Sequence, residues 1–331
     1  MREILMLATG GTIASRDAGN GLRPAITSEE ILNYVPEVAR LCRVDAIQLM
    51  NLDSTNVGPV HWLQIAQAIR ENYSRYDGFI ITHGTDTMAY TAAALSYLVQ
   101  QSPKPIVITG SQKSICMADT DARRNLYQSF LYACDQGSQG VSLVFDGKVI
   151  LGTRARKERT KSWNAFSSVD YPEIAVIRDD RIIRYLTLDT PGVEPAFYTT
   201  LDDRVLLLTL IPGMGAQALE RLSDSYQAVI LQSFGVGGLP GGDKGELAQA
   251  LKAWLDAGKT VVMMTQVSYE GSDMTVYQVG HDLKERFGLM EAYNMTMEAA
   301  VTKLMWALGQ SQRPDEVRRL FYRPVQCDII R

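Results

Sequence analysis

The sequence is poor in the residues that build metal sites and disulfide scaffolds. Its 331 residues include four cysteines and three histidines, and none of them forms a CxxC pair or a cluster with metal-ligand spacing. The cysteines are Cys42, Cys116, Cys134 and Cys327, and the histidines are His61, His83 and His281. This composition argues against a zinc site and favours unpaired thiols in a reducing compartment.

Positive charge and long hydrophobic runs are also scarce. Lys and Arg number 33 against 37 Asp and Glu, which gives a net charge of −4 and no indication of a basic nucleic-acid-binding face. Apolar runs such as VLLLTLI at 205–211 are much shorter than the ~18 residues of a membrane span. The first residues lead directly into a short apolar run without the pattern of a signal peptide. We therefore expect a cytoplasmic protein that binds neither nucleic acid nor membrane.

Short apolar runs alternate with longer stretches of helical periodicity. The apolar runs predict strands at 3–8, 43–50, 78–82, 105–109, 141–145, 205–210, 228–233 and 260–265. The periodic stretches predict helices at 59–74, 87–99, 119–135 and 244–257. Near-continuous apolar strands that alternate with helices indicate parallel sheets built from βαβ units.

One segment interrupts this alternation. Residues 184–204, RYLTLDTPGVEPAFYTTLDDR, mix Pro, Gly, Thr and Asp without a clear period, which is typical of a linker. We therefore expect a larger N-terminal α/β domain at 1–184, a linker at 185–204 and a smaller C-terminal domain at 205–331, with about three βα units.

Two threonines flank a pair of glycines where the first predicted strand ends. In ILMLATGGTIAS, the TGGT sequence at 9–12 stands at the carboxyl end of the strand, where parallel sheets bind ligands. Glycine permits a sharp turn and close approach of a ligand, so the loop can present a hydroxyl group to a small molecule. The sequence matches neither a phosphate loop nor a dinucleotide fingerprint, and a simple turn with a threonine cap explains these residues equally well.

A second strand has the same layout. In GFIITHGTDTMAYTAAAL at 78–95, a buried-type strand ends in an HGTDT turn at 83–87 and a helix follows. Asp86 or Thr87 can serve as an N-cap. However, two hydroxyl-bearing turns on strands of one domain are expected to meet at one sheet edge, with a carboxylate beside the second turn.

A hydroxyl nucleophile needs a neighbouring group that takes its proton. The few histidines and the missing GxSxG motif do not point to a serine-hydrolase triad, and a lysine poised by a carboxylate can replace the histidine. The segment GTRARKERTKSWNAFSS at 152–168 follows a strand and offers Arg154, Arg156, Lys157, Arg159 and Lys161. Composition does not choose among these cations, and a solvated basic turn is the alternative interpretation.

Together these motifs resemble those of the bacterial L-asparaginases, with the intracellular type I branch the most similar. The matching stretches follow the family's order over nearly the whole chain. They are ATGGTIAS at 8–15, DSTN at 53–56, ITHGTDTMAYTAAAL at 81–95, PIVITGSQ at 105–112, GTRARK and AFSS within 152–168, and MTMEAAVTKLMWALGQ at 295–310. The resemblance implies a larger N-terminal parallel-sheet α/β domain, a smaller C-terminal parallel α/β domain, and assembly as a homodimer or homotetramer.

The resemblance also implies roles for individual residues. Thr12 would be the nucleophile that forms a β-acyl-enzyme, and Thr85, Asp86 and Lys157 would form a hydroxyl–carboxylate–amine relay. Lys157 is selected by its place in TRARK, and Asp86 would also face the substrate's α-amino group. The other expected substrate contacts are Asp53, Ser54, Thr55, Gly84 and Gly11. No metal and no cofactor is implied.

A tyrosine that many family members carry after the TGGT loop is missing here. The corresponding segment, SRDAGNGLRPA at 15–25, contains none. In some relatives a residue from the C-terminal domain of a neighbouring protomer enters the site. Tyr277, in SDMTVYQVGHDL at 272–283, is the candidate for that role, and an aromatic packed in a core is its alternative interpretation.

The predicted function is hydrolysis of L-asparagine to L-aspartate and ammonia. One alternative is an asparaginase–glutaminase of broader specificity. Another is the amidase subunit of a tRNA-dependent amidotransferase, whose usual additional N-terminal domain we do not expect before the first strand. A catalytically inactive amino-acid sensor is the non-enzymatic alternative, and the joint presence of Thr12, Thr85, Asp86 and Lys157 argues against it.

Overall fold

Two compact units make up the described chain. The computed structural model describes residues 1–17, 22–188, 192, 194–276 and 278–330. The units are Met1–Thr199 and Thr200–Arg331. The expected linker at 185–204 extends across this division and includes a short strand at Ala196–Phe197.

Within these residues, the N-terminal unit is built on an eight-stranded mixed sheet with short two-stranded ribbons beside it. The strands are β1 (Arg2–Gly10), β2 (Ser15–Asp17), β3 (Leu22–Pro24), β4 (Cys42–Leu52), β5 (Gly78–Thr82), β6 (Val99–Gln100), β7 (Pro105–Thr109), β8 (Gly140–Phe145), β9 (Lys148–Leu151), β10 (Ala155–Lys157), β11 (Phe166–Ser168), β12 (Ala175–Arg178), β13 (Arg181–Arg184) and β14 (Ala196–Phe197). The order in the large sheet is β13-β12-β9-β8-β7-β5-β1-β4.

The central part of this sheet is parallel, as the sequence predicts. Strands β4, β1, β5, β7 and β8 pair in parallel, and they overlap the predicted apolar runs. Every residue of β5 and β7 is buried, which explains why these strands are apolar without alternation. The predicted α/β class is confirmed.

Antiparallel strands that the sequence analysis did not predict extend the sheet on one side. Strand β9 pairs antiparallel with β8 and β12, and β13 pairs antiparallel with β12. The β8–β9 turn is Asp146-Gly147, with φ of 49° and 75°, and the β12–β13 turn is Asp179-Asp180, with φ of 49° and 58°. Two central residues in the left-handed region characterise the tight turns that suit the twist of paired strands.

The helices of the N-terminal unit begin at recognisable local signals. They are α1 (Ser28–Asn33), α2 (Pro59–Asn72), α3 (Met88–Leu98) and α4 (Ala122–Cys134), with short 3-10 helices at Thr12–Ala14, Pro36–Arg40 and Ser54–Asn56. Thr27 and Glu30 form a capping box at the start of α1, and proline occupies the first position of α2, where its missing N–H costs nothing. Helix α3 is almost completely buried because it is apolar on nearly every side.

The C-terminal unit is a smaller parallel α/β structure. Its described strands are β15 (Val205–Thr209), β16 (Ala228–Ser233), β17 (Thr260–Thr265) and β18 (Met290–Glu291), which pair in that order. Its helices are α5 (Gln217–Leu222), α6 (Glu246–Asp256), α7 (Gln278–Phe287), α8 (Met297–Gln310) and α9 (Pro314–Tyr322), with 3-10 helices at Ser223–Ser225 and Gly242–Lys244. Trp254 of α6 packs with Leu231 and Met263 of the sheet in one core. Among the described residues, no helix has the length and apolarity that a bilayer crossing requires.

The arrangement of β1, β5 and β7 determines where the predicted motifs meet. These adjacent strands are parallel, and the register pairs Ala8 with Thr82 and Thr82 with Thr109. The loops after the three strands therefore start at neighbouring points of one sheet edge, where parallel sheets bind ligands.

Candidate active site

Glycines bring the loops after β1 and β5 into direct backbone contact. Gly11 has a φ of 78°, and a Cβ atom placed on it would overlap the backbone nitrogen of Gly84. A Cβ atom on Gly84 would lie 2.6 Å from Ser54 Oγ, in the turn that follows β4. Any larger residue at either position would separate the loops. The structure therefore places three of the predicted motifs, TGGT, DSTN and HGTDT, against one another.

The two threonines of the TGGT loop have different environments. Thr9 is buried, and its hydroxyl donates to the carbonyl of Thr82 at 2.8 Å, so it holds the β1 and β5 ends together. The backbone N–H of Gly11 donates to the carbonyl of Leu52 at 2.9 Å. Thr12 begins the next 3-10 turn and is half-buried. Within the described part of the chain its hydroxyl accepts and donates no hydrogen bond, which leaves it available to a ligand.

The DSTN turn supports the HGTDT loop through Ser54. The buried Ser54 Oγ accepts the backbone N–H of Asp86 at 3.3 Å, and its carbonyl accepts the Thr87 hydroxyl at 2.6 Å. Asp53 and Thr55 are exposed and bond to each other, with the Asp53 carboxylate accepting both the N–H and the hydroxyl of Thr55 at 2.9 Å. Ser54 therefore contacts the HGTDT loop directly. Asp53 and Thr55 instead contact each other.

Lys157 reaches this cluster from the end of β10. Its Nζ donates to Thr85 Oγ1 at 2.7 Å and to Asp86 Oδ1 at 2.6 Å. The lysine side chain is 15% exposed, whereas the Asp86 side chain is 58% exposed. Among the described cations of the 152–168 segment, Lys157 is the one that binds the HGTDT carboxylate. The predicted hydroxyl, carboxylate and amine are therefore in direct contact.

His83 fixes the HGTDT loop from the inner side, a role that the sequence analysis did not assign. The ring is fully buried, and Nδ1 lies 2.7 Å from the carbonyl of Gly84. A carbonyl only accepts, so Nδ1 carries the hydrogen and Nε2 accepts the Thr91 hydroxyl at 2.9 Å. Thr91 Oγ1 in turn accepts the indole N–H of Trp62 at 3.0 Å. Burial lowers the pKa of His83 to about 4, so the ring is neutral at pH 7.

Gln112 also contacts the site, and the sequence analysis gave it no role. It lies in the TGSQ turn after β7, the third strand of the edge, and its Oε1 accepts the Thr85 hydroxyl at 3.3 Å. The sequence does contain a signal for Gln112. Each of the three strands ends in a glycine turn that carries a polar side chain, and Gln112 is in the third of these turns.

The remaining predicted site residue is Tyr277, which lies outside the described residues. The described residues include no group of three or more His, Cys, Asp or Glu side chains that could hold a metal ion.

Models of known protein families match most of this chain. A family model described as asparaginase, N-terminal, matches residues 3–188, and one described as glutaminase/asparaginase C-terminal domain matches residues 204–321. The chain belongs to the asparaginase family. It is 36% identical to the L-asparaginase of Thermococcus kodakarensis over 99% of both chains.

Solved structures of asparaginases have the same fold. The thermostable L-asparaginase from Thermococcus kodakarensis superposes with a TM-score of 0.91, and the alignment covers 99% of each chain. L-asparaginase I from Vibrio cholerae is 30% identical, with a TM-score of 0.90 over 99% of each chain. The chain is also 33% identical to a subunit of the glutamyl-tRNA(Gln) amidotransferase of Metallosphaera sedula, over 96% of this chain and 74% of that protein.

The neutral His83 predicts that stability decreases on mild acidification. The ring has a pKa of about 4 in the folded protein and about 6.5 when unfolded. Between these values only the unfolded chain gains the proton, so the free energy of unfolding falls as the pH falls, by about 2 kcal/mol between pH 7 and pH 5. Urea unfolding at both pH values measures this difference. In His83→Gln, the difference in unfolding free energy between pH 7 and pH 5 should be smaller than in the wild type. In the control His281→Gln, which changes an exposed position, the difference should equal that of the wild type. An equal pH dependence in wild type and His83→Gln would contradict the assignment.

Proposed function

We propose that this asparaginase-family chain is an L-asparaginase, which hydrolyses L-asparagine to L-aspartate and ammonia. The observation that carries the proposal is the contact of Lys157 with Thr85 and Asp86 beside the TGGT loop. A lysine that touches a hydroxyl and a carboxylate can move protons during hydrolysis without a histidine. The sequence similarity to L-asparaginases over the full chain supports the same substrate.

The proposed substrate is a zwitterion, and the edge of the sheet offers groups of both signs. The Asp86 carboxylate is exposed beside its lysine partner and suits the α-ammonium group. The Ser54 hydroxyl accepts from the Asp86 N–H, so its own hydrogen is available to the α-carboxylate. Backbone N–H groups of strand-to-helix turns favour anions. We therefore assign Gly11, Asp53, Ser54, Thr55 and Gly84 as substrate-binding positions.

In the proposed first step, Thr12 Oγ attacks the carbon of the side-chain amide. Backbone N–H groups near Thr85 stabilise the oxyanion, an effect of roughly 3–4 kcal/mol per donor in hydrolases of this kind. The carbon–nitrogen bond breaks, and an ester to Thr12 forms. The Thr12 hydroxyl proton passes to water through the Tyr277 phenol proposed below. The Thr85 hydroxyl, which donates to Gln112 before substrate binds, turns to the departing nitrogen and gives it the hydrogen, so that ammonia leaves. A proton from the Lys157 ammonium replaces that hydrogen on the Thr85 oxygen.

In the proposed second step, water hydrolyses the ester. A proton of the attacking water returns to Lys157 through Thr85. The Thr12 oxygen regains its proton from water through the Tyr277 phenol, and L-aspartate is released. Asp86 remains ionised next to the lysine throughout and holds the amine in place. The two steps together consume one water molecule and regenerate the site, and neither step uses a cofactor.

An amidotransferase component is the second candidate function. The similarity to a subunit of the glutamyl-tRNA(Gln) amidotransferase favours it, and that activity depends on a larger assembly. An asparaginase–glutaminase differs only in accepting a longer side chain, and a sensor would bind asparagine without turnover. Ammonia release by the purified chain alone, from L-asparagine and from L-glutamine, separates all these functions.

We also propose the finer assignments of branch, compartment and assembly. The likeness to L-asparaginase I of Vibrio cholerae supports the type I branch of the bacterial enzymes, and the likeness to a probable cytoplasmic L-asparaginase of Campylobacter jejuni supports an intracellular protein. Activity EC 3.5.1.1 and assembly as a homodimer or homotetramer follow the motif resemblance. The cysteines of the described chain form no disulfide, which suits the cytoplasm. The functional boundaries follow the sequence, with the catalytic domain at 1–184, a linker at 185–204 and the C-terminal domain at 205–331.

The nucleophile assignment predicts an ester on Thr12. Acid quenching during turnover and mass spectrometry of the peptides should locate the aspartyl group on the TGGT peptide, and Thr12→Ala should form no adduct. Thr9→Val is the matched control in the same loop. It loses a buried hydrogen bond, about 1 kcal/mol of stability, but should still form the ester. An ester on Thr85 in the wild-type protein would overturn the assignment.

The relay assignment predicts a defect in kcat for Lys157→Met. A positioned acid–base group contributes at least ~10²-fold, so kcat should fall by at least that factor while KM changes much less. Lys161→Met, an exposed neighbour, is the control and should be nearly unaffected. Steady-state ammonia release measures both constants. Near-normal turnover in Lys157→Met would contradict a role for this lysine in proton transfer.

A third prediction concerns the missing loop tyrosine. We propose that Tyr277 of a neighbouring protomer supplies the phenol that accepts the Thr12 proton while it passes its own proton to water. Thr12→Ala and Tyr277→Phe oligomers should each be weak, and mixing them should restore activity because some sites then combine two intact contributions. Absence of recovery despite demonstrated exchange of protomers would contradict a site shared between chains. Full activity of Tyr277→Phe would contradict the phenol itself.

A further inference from the structure

Gln112 uses every polar atom of its side chain within the described site. Its Oε1 accepts the Thr85 hydroxyl at 3.3 Å, and its Nε2 donates to the carbonyls of Ser162 at 3.0 Å and Arg159 at 3.3 Å. The two carbonyls belong to the segment that follows Lys157 between β10 and β11. One amide therefore connects the relay hydroxyl with the chain that carries the relay amine.

The orientation of this amide is forced by its partners. Backbone carbonyls only accept, so the nitrogen must face Ser162 and Arg159, and the oxygen must face Thr85. The Thr85 hydrogen then points to Gln112, and the Thr85 lone pair is left for the Lys157 Nζ at 2.7 Å. Before substrate binds, the direction of each hydrogen bond from Lys157 to Ser162 is thus fixed.

The backbone under Gln112 is fixed as well. The buried Asp121 carboxylate accepts the N–H of Gln112 at 2.9 Å and that of Lys113 at 3.1 Å. Asn125 donates to the same carboxylate at 3.2 Å and to the carbonyl of Gly110 at 3.0 Å. Residues at the start of α4 therefore hold the TGSQ turn in place. This fixes the position from which the Gln112 amide contacts Thr85.

We propose that Gln112 is a positioning residue of the reaction, which directs the Thr85 hydroxyl so that its oxygen accepts from Lys157. The inference rests on the proposed function. Donation to Gln112 polarises the Thr85 hydroxyl and makes its oxygen a better acceptor for the lysine. Without the amide, the hydroxyl rotates freely and the lysine loses one of its two fixed partners. Gln112 therefore acts through Thr85.

The kinetic test compares Gln112→Met in two backgrounds. In the wild-type background the substitution should lower kcat about tenfold, with KM changed less than about twofold. In the Thr85→Ala variant, Gln112→Met should lower kcat no further, because the hydroxyl through which Gln112 acts is already absent. Gln67→Met, on the exposed face of α2, is the matched control and should behave as wild type. Gln112→Ala provides the same comparison if the methionine is not accommodated. Unchanged kcat, or an equal further loss in the Thr85→Ala background, would overturn the proposal.

A second measurement needs no substrate. The ¹⁵N–¹H signal of the Lys157 ammonium, identified by its loss in Lys157→Met, reports proton exchange with water. Exchange should be faster in Gln112→Met than in the wild type, because the bond to Thr85 is weakened. Unchanged exchange would contradict the role of Gln112. Absence of ammonia release from the wild-type protein would instead contradict the proposed function, so the two failures are distinguishable.

Discussion

The contact between the backbones of Gly11 and Gly84 determines the geometry of the site. Neighbouring parallel strands lie only about 4.8 Å apart, and the loops that leave them approach closely because neither glycine has a side chain. Thr12 directly follows the first glycine and Thr85 directly follows the second. Their separation is therefore set by short covalent links and a rigid contact, and not by long flexible side chains. Pre-organisation of this kind is what the proposed covalent mechanism requires of Thr12 and Thr85.

The ion pair between Lys157 and Asp86 positions the two side chains more than it stabilises the fold. The Asp86 side chain is 58% exposed, and solvent screens such pairs strongly. Lys157 is less exposed and is delivered by the separate β10–β11 ribbon, which pairs it with Phe166. The amine is thus held by the fold while the carboxylate is presented to solvent. This asymmetry suits the proposed role of Asp86, in which the carboxylate contacts both the fixed lysine and the ammonium group of the substrate.

The sequence predicted the parts of the fold that depend on local pattern. Apolar runs located β1, β5 and β7, and the glycine turns after them located the TGGT and HGTDT loops. The antiparallel extension was missed although Asp146-Gly147 is a strong hairpin signal, because short strands such as β9 leave little periodicity to read. Composition could not select Lys157 among five cations, since only the tertiary structure brings it to Asp86. The sequence analysis also gave Gln112 no role. Its partners at 159 and 162 are 47 and 50 residues away, and only the tertiary structure brings them together.

Two directed chains of hydrogen bonds meet at the HGTDT loop. One runs from Trp62 through Thr91 and His83 to the carbonyl of Gly84, and burial keeps its imidazole neutral. The other runs from Lys157 through Thr85 and the Gln112 amide to the 159–162 segment. Both chains end on backbone carbonyls, which cannot reverse the direction of donation. The loop is therefore held at two points by groups whose hydrogens are assigned before substrate binds, while the Asp86 carboxylate stays exposed and the Thr12 hydroxyl has no partner among the described residues. These are the two groups that the proposed mechanism directs at the substrate.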